Sequence, residues 1–347
     1  MNKLSIYCLC LSICLGACTK RVVEGSQITV ELDSGVQEEL LFSSFVDSVT
    51  YIPLDANEEC FMGGIRDVLI SDSSVFVLNE ERTSIFVFDK NGTYKRKVEH
   101  VGNGPGEYLA INQFSYHAKD RILSVVTNTL KVIEYDESGR MIREFKTDDY
   151  FTDLYRLDDG SYLLSRISRI DEPNELLYLA DPDGKHLKSL LGRDLHYKVD
   201  GSDHWDFVVF NNEVHFISPQ LKHILYRYNA GKLEEEFEIK IHPEVSKEYY
   251  EDKPGILGFG DDYYRTVYRE SEKWLNLTFW SQSKGLRVVL FDKVRKQYVV
   301  ARNFKNDMDD LGVGDFLSAS EENTFTGYIE TEDLDQNPII QVLHLKN

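Results

Sequence analysis

The chain is built from short β-type runs separated by polar turns, and it repeats the same order several times. A first run is followed by a few polar residues, then by a second run ending on an aromatic or aliphatic residue. Asp-x-x-Gly comes next, and another strand follows it. The clearest copy is Val75–Leu78, Ile85–Phe88, the turn Asp89-Lys90-Asn91-Gly92 and Tyr94–Val98. A second runs through Ile122–Val126 and Val132–Tyr135 to Asp136-Glu137-Ser138-Gly139. A third uses Tyr162–Ser165 and Leu176–Ala180 before Asp181-Pro182-Asp183-Gly184. The fourth turns at Asn229-Ala230-Gly231, and the fifth, around Trp274–Trp280 and Val288–Asp292, lacks the glycine. The turn residues at 89, 136, 181, 229 and 292 lie 47, 45, 48 and 63 residues apart.

An Asp followed three positions later by Gly is a hairpin turn. The carboxylate caps nearby backbone N–H groups, and Gly takes the positive φ that other residues resist. A lone antiparallel sheet of this size cannot bury both faces, so repeats of this length with four strands predict β-propeller blades. The 347 residues accommodate six. The sixth draws on Phe325–Glu330 and Ile339–Leu345, and the lead-in run Val49–Leu54 is the natural strand to close the ring. The expectation is therefore an all-β, six-bladed β-propeller of four-stranded antiparallel blades closed by an N-terminal strand, over residues 41–347, with residues 18–40 as tether and lead-in. A pair of open β-sandwiches is the structural alternative. The long step before the fifth turn marks an insertion between Ile241 and Tyr264, which predicts an elaborated loop over one face.

The N-terminus has a different grammar. A single positive charge at Lys3 precedes the apolar run Leu4–Leu15, too short to span a bilayer and typical of an export signal. Leu15-Gly16-Ala17-Cys18 resembles the lipobox of bacterial lipoproteins. That resemblance implies removal of residues 1–17 and attachment of lipid to Cys18, with acyl chains such as palmitate holding the protein to a membrane. Four of the five cysteines fall within these first eighteen residues, and the fifth, Cys60, reads as a buried small apolar residue. The residues after Cys18, Thr19-Lys20-Arg21-Val22-Val23-Glu24, lack a dense acidic cluster, so the periplasmic face and the cell surface both stay open as locations for an outer-membrane lipoprotein.

Charge narrows the partners. With 59 acidic against 39 basic side chains and a net charge of −20, the chain lacks the basic surface a nucleic acid requires. The motif Gly102-Asn103-Gly104-Pro105-Gly106-Glu107-Tyr108, after Phe88-Asp89-Lys90-Asn91-Gly92, resembles the six-bladed β-propeller lipoproteins of Bacteroidetes, a group similar to NHL-repeat propellers. The lead-in Leu41–Leu54 and Phe304-Lys305-Asn306-Asp307-Met308-Asp309 share the resemblance, which spans most of the chain and implies a fold but no catalytic residues.

Candidate chemistry is sparse. Gly102, Gly104, Pro105, Gly106 and Glu107 read as a structural inter-blade turn, since neither a P-loop Lys-Ser/Thr nor a dinucleotide glycine spacing follows. Asp261-Asp262, Asp307 with Asp309 and Asp310, and Asp181 with Asp183 offer hard oxygens to Ca²⁺, but none completes a twelve-residue calcium loop. The nine histidines show no His-Glu-x-x-His pair, and no metal is assigned. Aromatic and acidic residues in and after the insertion, Tyr249, Tyr250, Phe259, Asp261, Asp262 and Tyr263, form a candidate binding edge for a sugar. The leading reading is an envelope-anchored, monomeric binding or scaffold module for a protein or glycan. The alternative is a hydrolase or lyase with an acidic, Ca-dependent central site, which would require His, Asp, Glu or Arg side chains converging at one end of the channel.

Overall fold

The computed structural model describes residues 21–22, 27–147, 151, 153–165, 175–192, 207–211, 213–218, 223–245, 261–320, 323–333 and 335–347. Cys18 with its leader, and Tyr249, Tyr250 and Phe259 of the insertion, lie outside the described residues.

The lead-in supplies β1 (Arg21–Val22), β2 (Gln27–Glu31), β3 (Gln37–Leu41) and β4 (Val46–Pro53). Five antiparallel four-strand meanders follow. Blade 1 is β5 (Ile65–Ile70), β6 (Val75–Asn79), β7 (Ile85–Phe88) and β8 (Tyr94–Val98). Blade 2 is β9 (Ile111–His117), β10 (Ile122–Thr127), β11 (Lys131–Tyr135) and β12 (Met141–Lys146). Blade 3 is β13 (Asp153–Arg156), β14 (Tyr162–Ser165), β15 (Glu175–Ala180) and β16 (His186–Gly192). Blade 4 is β17 (Val208–Phe210), β18 (Glu213–Ile217), β19 (His223–Asn229) and β20 (Lys232–His242). Blade 5 is β21 (Tyr264–Glu270), β22 (Trp274–Ser281), β23 (Gly285–Asp292) and β24 (Gln297–Lys305). Blade 6 takes β25 (Asp315–Ser320), β26 (Thr324–Ile329) and β27 (Ile339–Leu345) from the C-terminus and completes itself with β4, which pairs antiparallel to β27. The expected six-bladed propeller and its N-terminal closing strand are both present.

Middle strands such as β6 and β14 are buried at every position, because a neighbouring blade packs on each face of the sheet. Alternation then divides each strand between two interfaces. Val75 and Val77 join the core shared with blade 6, whereas Phe76 and Leu78 join the core shared with blade 2. Outer strands such as β12 face solvent.

The repeated Asp-x-x-Gly is the turn between the third and fourth strands of a blade. Asp89 Oδ1 accepts the Asn91 and Thr93 N–H groups, both at 3.0 Å, and Asp136 and Asp181 repeat the geometry. The fifth turn dispenses with glycine because it is one residue longer: Asp292 Oδ1 still caps Val294 and Arg295, and Lys296 takes the positive φ of 51°. The fourth closes tightly, with Ala230 and Gly231 at φ 48° and 84°.

The lead-in straps the rim, adding β2 as a parallel fifth strand to β20 of blade 4 and β3 as a parallel strand to β24 of blade 5 before entering blade 6. Two outer edges that would otherwise present unpaired backbone groups are covered.

Candidate channel site

The innermost strands β5, β9, β13, β17, β21 and β25 surround the propeller axis. β17 reaches across to β25, which leaves the open part of the channel on the side of blades 1 to 4. There a cavity of about 810 Å³ extends to the end of the disc where the inner strands finish. Its wall carries the rings of Phe114, Tyr116, Tyr155, Phe207 and Tyr228. Among them stand Asp67, Asp72, Asp153 and Asp158, with Lys119 as the cation among the described lining residues. Aromatic surface interspersed with polar groups that fix orientation is the usual make-up of a small-ligand site.

The best-defined polar group is His117, at the end of β9. The Asp120 N–H donates to its Nδ1 at 3.3 Å, which places the ring proton on Nε2 and directs it to Asp158 Oδ1 at 3.1 Å. Lys119 Nζ binds the other oxygen of Asp158 at 2.8 Å. These hydrogen bonds, Lys119 first and His117 second, hold the exposed Asp158 carboxyl below its ordinary pKa.

Behind His117 lies a buried ionic core joining blades 2 and 3. Glu134 of β11 is 2% exposed. Its Oε2 accepts from Arg143 Nε at 2.7 Å, and its Oε1 accepts from Arg156 Nε at 3.1 Å and from the Tyr162 hydroxyl. Arg156 also binds Asp120, beside His117 Nδ1. Burial alone would push the Glu134 carboxyl up. The Arg143 and Tyr162 hydrogen bonds and the two guanidinium charges more than offset it and hold the pKa down. Burial and the same carboxylate push the Tyr162 phenol up. His117 therefore stands on a rigid base, with Arg156 linking it to the inter-blade core.

The glycine-rich motif lies elsewhere, between blades 1 and 2. The Gly104 N–H donates to Glu107 Oε2 at 2.7 Å and the Gly106 N–H to Glu144 Oε2 at 2.8 Å. Lys131 Nζ bridges the carbonyls of Gly104 and Glu107 and reaches Glu144. Tyr108, wholly buried, has its phenol pushed up to about 12 by burial. Those amides already serve carboxylates, so the loop is an inter-blade clamp and offers no cradle to a phosphate.

Asp261, Asp262 and Tyr263 lead into β21 at the end of the disc opposite the His117 mouth, because all six inner strands run the same way. Tyr263 is 1% exposed, donates to Asp33 Oδ1 at 2.6 Å and lies under the cations of Lys284 and Arg287. It packs the strap onto blade 5 and presents no open ring. Asp307 caps Ser43, and Asp309 accepts from Tyr51, Asn306 and Leu311, so both carboxylates bind the lead-in or their own turn. The channel residues carry no sequence signature. They come from four blades, a few positions from each, and no local spacing unites them.

Fold and site together define a six-bladed propeller with a polar-aromatic channel. The chain belongs to the family of a domain of unknown function, DUF4934, whose model matches residues 26–344. Its structure is similar to that of a Bacteroides fragilis protein described as exported, with a TM-score of 0.74 at 14% identity over 92% of this chain and 99% of that one. It is also similar to a Bacteroides vulgatus member of the DUF4221 family, with a TM-score of 0.53 at 10% identity over 87% and 97%. No protein of curated function matches the sequence. Among the described residues no helix is long and apolar enough to cross a membrane.

Proposed function

We propose that the protein is a non-catalytic binding module of the cell envelope, and that its ligand is a glycan received at the His117 end of the channel. The observation that carries this reading is the cavity of about 810 Å³ in which aromatic rings alternate with carboxylates and an imidazole N–H. Sugar rings have apolar C–H faces that pack on aromatics and hydroxyls that donate to carboxylates, and a cavity of this size encloses a short oligosaccharide. A flat protein surface would leave that volume unfilled. A microarray of microbial and host glycans probed with the full chain tests the reading. Binding to a restricted set of structures is expected, and a blank array alongside binding to an envelope protein would overturn it.

The NHL-like lipoprotein resemblance supports anchoring through lipid on Cys18. Arg21 pairs with Tyr298 on the outer edge of blade 5, only three residues after Cys18, so the tether would leave from the rim and keep both ends of the channel accessible. In cells, Cys18→Ser is expected to lose acyl labelling and leave the membrane fraction. Unchanged labelling and sedimentation would contradict the anchor.

One observation favours the second reading, hydrolysis or lysis of the bound glycan. His117, Asp120, Arg156 and Asp158 converge at one end of the channel, where an imidazole beside an exposed carboxylate is suited to proton transfer. New reducing ends or unsaturated products from an array ligand, lost in His117→Ala, would decide for it.

A further inference from the structure

We propose a first-row transition-metal site, of the kind zinc occupies, between blades 4 and 5, formed by His215, Glu236 and Glu270. It is separate from the channel cavity. On β18, Val214 faces the cavity and blade 3, so alternation turns His215 to the other face of the sheet, toward blade 5.

Three observations carry the assignment. The first is the imidazole itself. His215 is 2% exposed, and among the described residues neither ring nitrogen has a partner at full hydrogen-bond geometry. The nearest, Glu236 Oε2 at 3.5 Å from Nδ1, is a long contact that, against the upward push of burial, already helps hold the Glu236 carboxyl below its ordinary pKa. A buried polar group without a partner is costly, and a metal bond removes that cost for the nitrogen that ligates.

The second is the convergence of donors. His215 Nδ1 lies 3.5 Å from Glu236 Oε2 and 3.9 Å from Glu270 Oε1, and the three donor atoms all lie within 4.8 Å of one another. A tetrahedral ion with ligands at about 2.0–2.1 Å sets its ligand atoms roughly 3.3 Å apart, so a small contraction closes the site and leaves a fourth position for water. One imidazole nitrogen with two carboxylates suits zinc and its neighbours better than calcium, which takes six to eight oxygens.

The third is how Glu236 comes to point inward. The register of β19 against β20 slips between Leu225–Phe237 and Tyr226–Glu235, which makes Glu236 the extra residue of a β-bulge. In blades 1 and 2 the bulge on the outer strand falls at the strand's second residue, Lys95 and Ile142. In blade 4 it lies deeper and aims a carboxylate at the histidine.

The surroundings support the ligands. Phe210 stacks on the imidazole with centroids 3.7 Å apart. Glu213 Oε2 lies 3.8 Å from Nε2, beyond hydrogen-bond reach, and is itself held by Arg227, while Asn229 binds its other oxygen; the contraction that closes the site would have to bring it within reach to orient the histidine through its second nitrogen. The Tyr268 hydroxyl binds Glu270 Oε2, leaving Oε1 to face the site. Lys293 Nζ, 2.6 Å from that Oε1, is the competitor. It follows β23 with its side chain mostly buried and its ammonium over the Phe210 ring, so metal entry requires it to give up both contacts and swing out past the exposed turn residues Val294 and Arg295.

The test is calorimetric titration of ZnCl₂ into the metal-stripped full chain, with Co²⁺ absorption as a second readout. One equivalent of Zn²⁺ is expected, with a tetrahedral Co²⁺ spectrum. His215→Gln should weaken binding by about 100-fold or more, and the half-buried Glu236→Gln does the same should the first variant fold poorly. Lys293→Met, by removing the competing charge, should tighten binding. Absence of Zn²⁺ binding to the wild type, or affinity unchanged in Glu236→Gln, would overturn the proposal. It would also identify the cluster as an ion group completed by Lys293.

Discussion

Glu134 shows what a single charge does in this propeller. Its carboxylate is enclosed between two blades and satisfied by two arginines and a phenol. Breaking a buried pair leaves the partners' charges uncompensated, at a cost of about 3 kcal/mol or more. Glu134→Gln is therefore expected to lower stability by about 3 kcal/mol at pH 7. The pH dependence has a definite sign. The folded pKa is depressed, so this contribution is present above the unfolded carboxyl pKa of about 4.3 and is lost as pH falls through the folded value. Urea unfolding at pH 7 and in acid should show the gap between wild type and variant narrowing as pH drops, whereas a constant gap would mean that Glu134 is not ionised in the fold. The same charges hold Arg156 beside His117, so the variant also probes whether the channel histidine depends on the core behind it.

At the scale of the element, the turns between third and fourth strands do more than reverse the chain. Gly92 has φ 86°, and a Cβ there would lie 1.9 Å from the carbonyl oxygen of Pro53, the last residue of the closing strand β4. Gly231 has a similar φ of 84° with nothing within 4 Å. Gly231→Ala should therefore cost only the left-handed strain of about 1–2 kcal/mol. Gly92→Ala adds a backbone collision at the ring closure and should cost about 4 kcal/mol or more. Thermal and urea midpoints of the two variants separate these effects, and equal losses would show that the contact with β4 does not matter. These local turns are also why the blades were legible. An Asp capping its own turn and a glycine at fixed offset are encoded within four residues, and the continuous apolar runs beside them report strands covered on both faces. The strap was not legible, because β2 and β3 pair in parallel with strands more than two hundred residues away and no turn chemistry announces them. The channel residues and the His215 cluster were hidden for a related reason, since each element contributes one or a few side chains and only the closure of the ring brings them together.

In the whole molecule, closure and strap make one disc: β4 completes blade 6 beside the C-terminal strand β27, while β1, β2 and β3 line the outer edges of blades 4 and 5. The net charge of −20 has a local expression at the channel, where four aspartates face one lysine among the described lining residues. An acidic, aromatic channel favours a neutral, hydroxyl-rich or cationic ligand over an anionic one. On the proposed reading this channel, and not the aromatic edge near the insertion on blade 5, receives the ligand. The direct measurement is the affinity, by titration calorimetry, of an array-identified glycan for wild type, Tyr155→Ala in the channel and Trp280→Ala, whose exposed ring lies near the end of β22 beside Tyr264 where the insertion re-enters blade 5. Tyr155→Ala is expected to weaken binding at least tenfold, about 1.4 kcal/mol, with Trp280→Ala unchanged. The reverse pattern, with Tyr155→Ala binding as tightly as wild type and Trp280→Ala impaired, would contradict it.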